Sequence, residues 1–105
     1  MPPKEYEDKL NKVRKAKGYP TVSKSEVLAH NKEKNCWIVI EGCVFDVTTY
    51  MHSHPGGKMA IIRHAGKDAT QKFIARHATL PNAWNKLPDM YVADLGGGCL
   101  GCAVM

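Results

Sequence analysis

The chain has no apolar run near the roughly 20 residues needed to span a bilayer, and its start, MPPKEYEDKL, has no apolar leader segment, so neither a spanning helix nor a secretory signal is expected. No cluster interleaves aromatic residues with Arg and Lys, so nucleic acid is not an expected partner. No nucleophile–base pair, Gly-rich phosphate loop or carboxylate dyad stands out, which disfavours an enzyme. Internal repeats are absent, and 105 residues leave no room for a second catalytic domain. The four cysteines are not expected to form a disulfide framework, because no secretory signal is expected.

What is present is a globular balance, with 44% apolar and 24% charged residues and a net charge of +5. So small a domain has a thin core and often needs a metal, a cofactor or disulfides to complete it. The basic excess lies at residues 1–20 and 58–95, each with six Lys/Arg against three Asp/Glu. It fits an acidic partner or an anionic membrane surface.

Residues 1–18 read as a polar, basic lead, a short helix with Tyr6, Leu10 and Val13 on one side, closed by Gly18 and loosely docked. Ser23 and Glu26 form a capping box for a helix reaching about His30, and 31–35 is a polar loop. Cys36–Ile40 and Cys43–Val47 are β-rich runs around a Glu41-Gly42 turn, which pairs Ile40 with Cys43 and Cys36 with Val47. The two thiols are then not opposite each other, which disfavours a bond between them. Thr48 caps a short helix over 49–53, and 58–65 is helical. Asp68-Ala-Thr-Gln opens a helix to about Arg76, and Pro81 one to Leu87, which Pro88 stops. Tyr91–Leu95 is a strand. The expectation is an α+β domain over 19–95, followed by a flexible Gly-rich tail at 96–105.

Among the five histidines, His54 is singled out by the Pro-Gly-Gly after it. Pro55 holds it extended, and Gly56 and Gly57 let backbone approach a flat ligand closely. A rigid turn presenting an imidazole beside an apolar hairpin suits axial ligation of haem iron. His77, just beyond the 68–76 helix, could project into the same cleft from its opposite end as a second ligand. Helices 58–65 and 68–76 then wall that cleft, which is lined by Ile38, Ile40, Val47, Tyr50, Ile61, Phe73, Ile74 and Trp84. A zinc site from Cys36, Cys43, His52 and His54 lacks the tight Cys pairing of structural zinc. Met59 or Met90 is the alternative of a His/Met haem.

Trp37-Ile-Val-Ile, Val44-Phe-Asp-Val-Thr, His54-Pro-Gly-Gly, Ala65-Gly-Lys-Asp-Ala-Thr, Phe73, His77 and Tyr91-Val-Ala-Asp-Leu95 together resemble the cytochrome b5 family. The resemblance implies a four-stranded, multi-helix haem domain with a small mixed sheet and two helix pairs forming the cleft. It implies that His54 and His77 are the axial ligands of haem b (iron protoporphyrin IX), with His64, at a motif position normally held by a non-ligand, the chief rival to His77. The ligand spacing is similar to that of haem domains fused to flavin or molybdenum enzymes. Single-electron transfer from a flavin-type reductase to an acceptor enzyme is the implied function. The alternative is a haem-linked sterol- or ligand-binding module of the membrane-associated receptor type, a class that lacks the paired histidines.

The chain departs from the family in three ways. Lys58, Arg63, Lys67, Lys72 and Arg76 stand where microsomal members carry carboxylates, which points to a partner with an acidic docking face, with Lys58, Lys67 and Lys72 as docking residues. Tyr50 replaces a common Phe. The hydrophobic tail of membrane-bound members gives way to Cys102-Ala-Val-Met, which fits a C-a-a-X prenylation box, with Cys99 placed for a palmitoyl chain. Lipid at these residues would attach a cytoplasmic domain to the cytoplasmic face of a membrane.

Overall fold

A computed structural model of the chain describes residues 2–77 and 80–96. In chain order the elements are α1 (Lys4–Ala16), β1 (Thr21–Val22), α2 (Lys24–Ala29), β2 (Asn31–Lys32), β3 (Asn35–Ile40), β4 (Cys43–Asp46), a 3-10 turn (Tyr50–Ser53), α3 (Lys58–Ile62), α4 (Thr70–His77), α5 (Pro81–Asn85), a second 3-10 turn (Leu87–Met90) and β5 (Tyr91–Leu95). The class is α+β, as expected, with one mixed sheet. No helix among the described residues is long and apolar enough to cross a membrane.

The central hairpin forms at Glu41-Gly42. Both residues take positive φ, 54° and 78°, which suits the right-handed twist of the strands they join. Ile40 pairs with Cys43, and the Val47 amide donates to the Cys36 carbonyl at 3.0 Å. The register is therefore the one read from the sequence, and it keeps the two buried thiols apart. Burial pushes the Cys36 thiol up to about 11.

Among the described residues the sheet has five strands, ordered β1-β5-β4-β3-β2, rather than four. β1 runs parallel to β5, with Thr21 opposite Asp94, and the remaining pairs are antiparallel. β1 and β2 are two residues long and carry no apolar run, so nothing local announces them. β2 turns the expected loop at 31–35 into a tight hairpin.

Successive residues of a strand face opposite sides of the sheet, and the core divides accordingly. Cys36, Ile38, Ile40, Cys43, Phe45 and Val47 join the larger cluster with Met51, Trp84 and Tyr91. Val39 and Val44 face the other way and pack with Val27 of α2. Ser23 caps α2 by accepting from the Glu26 amide at 3.1 Å. Thr48 does not cap the 3-10 turn. Its hydroxyl donates to Asp46 Oδ1 at 2.6 Å and accepts from the Cys36 amide at 2.9 Å, tying strand ends together.

The lead, over its described residues 2–18, is docked rather than loose. Tyr6 and Leu10 of α1 are buried in the main core. Arg14 Nε and Nη2 donate to Asp94 Oδ1 and Oδ2 at 2.9 and 2.6 Å, and Tyr91 Oη donates to Asp94 Oδ1 at 2.7 Å. Lys17 Nζ reaches the Tyr91 carbonyl at 2.9 Å. Burial would raise the Asp94 carboxyl, but the hydrogen bonds from Arg14 and Tyr91 outweigh it and hold the group below the ordinary carboxylate range.

Candidate functional site

A cleft of about 820 Å³ opens beside the main core, within the size range of pockets that hold small-molecule ligands. Ile38 and Ile40 line it from the sheet, with Val47, Tyr50, His54 and Gly56 from the segment after β4. α3 contributes Met59, Ala60 and Ile61, and Arg63 and His64 come just after it. On the other wall Ala69, Lys72, Phe73, Arg76 and His77 form the i, i+3, i+4, i+7, i+8 stripe of one helix face. Leu80, Ala83, Leu87 and Met90 continue with similar spacing.

His54 closes the first 3-10 turn in an extended conformation, φ −67° and ψ 125°, as the following proline demands. Its Nδ1 lies 2.9 Å from the Gly57 carbonyl, and the Gly57 amide donates to the His54 carbonyl at 2.9 Å. Gly57 takes φ 90° and ψ 154°, a region open to glycine almost alone. At Gly56 a Cβ would stand 2.9 Å from His54 Cε1, so the imidazole folds into space that a side chain would fill. Tyr50 meets the His54 ring edge-on, with centroids 5.8 Å apart.

His77 is the last residue of α4. Its Nδ1 lies 3.0 Å from the Phe73 carbonyl, and its ring rests on Phe73 with centroids 4.4 Å apart. The His77 carbonyl accepts from the Leu80 amide at 2.9 Å and from Trp84 Nε1 at 3.1 Å. A carbonyl can only accept, so each Nδ1 carries the proton and each Nε2 of a neutral ring is left with its lone pair for a ligand.

The two ring centroids are 6.2 Å apart. With a metal–nitrogen bond of about 2 Å and a nitrogen about 1.1 Å from its ring centroid, two imidazoles on opposite sides of one metal ion have centroids about 6.2 Å apart. The pair, the apolar lining and the space left at Gly56 fit a flat metal–macrocycle held between the rings.

The other expected residues fall into place unevenly. Ile38, Ile40, Val47, Tyr50, Gly56, Ile61 and Phe73 line the cleft; Ile74, Trp84 and Gly57 do not. Ile74 lies one position off the helix stripe and packs toward the core. Trp84 is fully buried behind the wall, edge-on to Phe73 at 4.7 Å and to Tyr6 at 5.0 Å. Gly57 serves the turn. His64, Met59 and Met90 also line the cleft; burial, then Lys72, Lys67 and Arg63, lowers the His64 pKa. Cys36, Cys43, His52 and His54 do not gather, and no group of three metal-binding side chains occurs among the described residues.

Of the docking residues, Lys72 is at the cleft, whereas Lys58 is paired with Glu33 at 3.0 Å, and Lys67 is exposed without lining it. Arg63, Arg76 and Lys86 line the cleft with Lys72, and no Asp or Glu does so among the described residues. Lys86, Leu80, Ala83 and Leu87 were not singled out in the sequence; their spacing after His77 was the available signal. Cys99 and Cys102 lie outside the described residues.

Residues 23–96 match the family described as the cytochrome b5-like haem/steroid binding domain. A cytochrome B5-like protein of Arabidopsis thaliana is 46% identical over 74 residues, 70% of this chain and 59% of that protein. L-lactate dehydrogenase (cytochrome) of Saccharomyces cerevisiae is 46% identical over 78 residues, 72% of this chain but 13% of that enzyme. The solved cytochrome b5 of Ostreococcus tauri virus 2 superposes with a TM-score of 0.65 at 40% identity, covering 71% of this chain and 95% of its own. The match thus spans less than two thirds of either curated relative's length.

Proposed function

The chain belongs to the cytochrome b5 family of haem-binding domains, and from that premise we propose that it is a b-type electron carrier whose haem is held by His54 and His77. The observation that carries this reading is the imidazole pair, with centroids 6.2 Å apart and both Nδ1 atoms committed to backbone carbonyls. When bound, haem supplies a one-electron iron couple. The protein's own residues do the rest. The carbonyls of Gly57 and Phe73 hold the tautomer and orientation of the two rings. Ile38, Ile40, Val47, Ile61 and Phe73 exclude water from the cleft, which tunes the potential of a bound redox centre.

Two protein imidazoles would leave no coordination position on a bound haem iron for oxygen or substrate, so the proposed role is electron transfer rather than catalysis by the domain itself. A sterol-binding module has no use for the pair. Arg63, Lys72, Arg76 and Lys86 give the cleft a cationic edge, which suits a partner with an acidic face. A flavin-type reductase is the proposed donor, and the acceptor enzyme shares that acidic docking chemistry.

Absorption spectra of the purified protein, oxidised and dithionite-reduced, test the proposal. The expected result is a low-spin, two-imidazole haem that is lost in His54→Ala and in His77→Ala. A colourless protein would reject the carrier. A two-imidazole spectrum that survives His77→Ala and disappears in His64→Ala would move the second ligand to His64.

A further inference from the structure

His54 and His77 are held by different means. His54 is fixed within its own four-residue turn, by Gly57 on one side and Pro55 on the other. His77 ends a helix of eight residues, none of them fully buried. Phe73 and Ile74 seat the helix on the core but are only partly buried, so the placement of its last residue depends also on what grips it from outside.

That grip is Trp84. Its indole Nε1 donates to the His77 carbonyl at 3.1 Å, while its ring stands edge-on to Phe73 at 4.7 Å, and Phe73 in turn supplies both the carbonyl under His77 Nδ1 and the ring beneath the imidazole. Trp84 is seated by Tyr6 of α1, whose ring meets it edge-on at 5.0 Å. α1 is clamped to the sheet through Arg14 and Asp94 and to α5 through Asn85 Nδ2 and Glu5 Oε1 at 3.3 Å. The helix lies wholly outside residues 23–96, the segment that matches the family.

We propose that Tyr6 and Trp84 are positioning residues for His77, so that α1 acts as a back-plate for one side of the haem site. This rests on the reading of His77 as an axial ligand. The back-plate acts on His77 and not on His54, and it acts through the Tyr6 ring, since the buried Tyr6 hydroxyl has no hydrogen-bond partner among the described residues.

The test uses the full-length holoprotein and three variants, Tyr6→Ala, Tyr6→Phe and Trp84→Phe. Two quantities are read: the rate of haem release to excess apomyoglobin, and the exchange rates of the two imidazole Nδ1–H protons by NMR of the reduced protein. Outer-shell partners of a metal ligand change affinity by about 10- to 100-fold, so Tyr6→Ala and Trp84→Phe should each speed haem release by about tenfold. Both should quicken exchange at His77 and leave His54 unchanged, whereas Tyr6→Phe should match the wild type.

A Tyr6→Ala protein that melts earlier but keeps wild-type haem release and His77 exchange would overturn the proposal, because α1 would then be a general support. Equal acceleration at both histidines would overturn it too. Should Tyr6→Ala fail to fold, Trp84→Phe, which keeps an aromatic ring, decides by the same two readings. Loss of the underlying ligand assignment shows separately, as a two-imidazole spectrum in His77→Ala whatever the Tyr6 variants do.

Discussion

A single methyl group at residue 56 should separate haem binding from folding. A Cβ built there stands 2.9 Å from Cε1, 3.4 Å from Nδ1 and 3.8 Å from Nε2 of His54. The backbone at Gly56 is not in the positive-φ region, so alanine is tolerated there as far as the chain is concerned. Reduced freedom of the unfolded chain should then stabilise Gly56→Ala by about 0.4–1 kcal/mol. The imidazole must swing away, which breaks the 2.9 Å contact from Nδ1 to the Gly57 carbonyl, a loss of about 0.5–1.5 kcal/mol. The two effects nearly cancel, and the haem-free protein should melt within about 5 °C of the wild type. Haem binding has no such compensation, because the ring that must face the cleft has been turned. Release to apomyoglobin should quicken by about 10- to 100-fold, the range for disturbed outer-shell partners. Gly57→Ala is the control. Its Cβ would meet nothing within 4 Å, but φ is 90°, so strain of about 1–3 kcal/mol should lower the stability of the haem-free and haem-bound protein alike. Unchanged haem release from Gly56→Ala would refute the role given to the turn.

Three further outcomes are expected. Asp94 is held below the ordinary carboxylate range in the folded chain, so its contribution is present above the unfolded value, about 3.9, and is lost as pH falls through the folded one; the unfolding free energy of Asp94→Asn from urea curves should be lower than that of the wild type by roughly 2 kcal/mol at pH 7, in the range for hydrogen bonds to a charged group, and the gap should close below pH 4, so parallel pH profiles for the two proteins would contradict this. Haem should raise the melting temperature, since a ligand at 100 times its dissociation constant adds about 2.7 kcal/mol, and equal scans with and without haem would dismiss it as a stabiliser. Reduction by an acidic-faced donor should slow as salt shortens the Debye length, about 10 Å at 0.1 M, and Lys72→Glu should slow it more than Lys58→Glu, because Lys58 is already paired with Glu33; stopped-flow rates indifferent to both salt and charge reversal would discard the docking edge.

Much of the fold and of the candidate site could be read from residues close together in the chain. The Glu41-Gly42 turn set the hairpin register, Ser23 capped α2, and Pro55 with its two glycines made the His54 turn, because each depends on hydrogen bonds or sterics within a few residues. The stripe Ala69, Lys72, Phe73, Arg76 and His77 is present in the helical spacing alone, and it leaves Ile74, expected in the lining, off the cleft face. Other features had no local signal. A basic, polar stretch at 4–16 looks detachable until Arg14 meets Asp94, 80 residues away in sequence. Trp84 reads as a cleft residue until Tyr6 fills the space behind it and its indole turns to the His77 carbonyl. β1 and β2, at two residues each, exist only because β5 and β3 offer them partners. Which lysines face the cleft depended on Glu33 arriving beside Lys58 from the tip of a different hairpin. In each of these cases the deciding contact joins segments distant in sequence, and a side chain's energy there depends on neighbours that only the folded chain brings within reach.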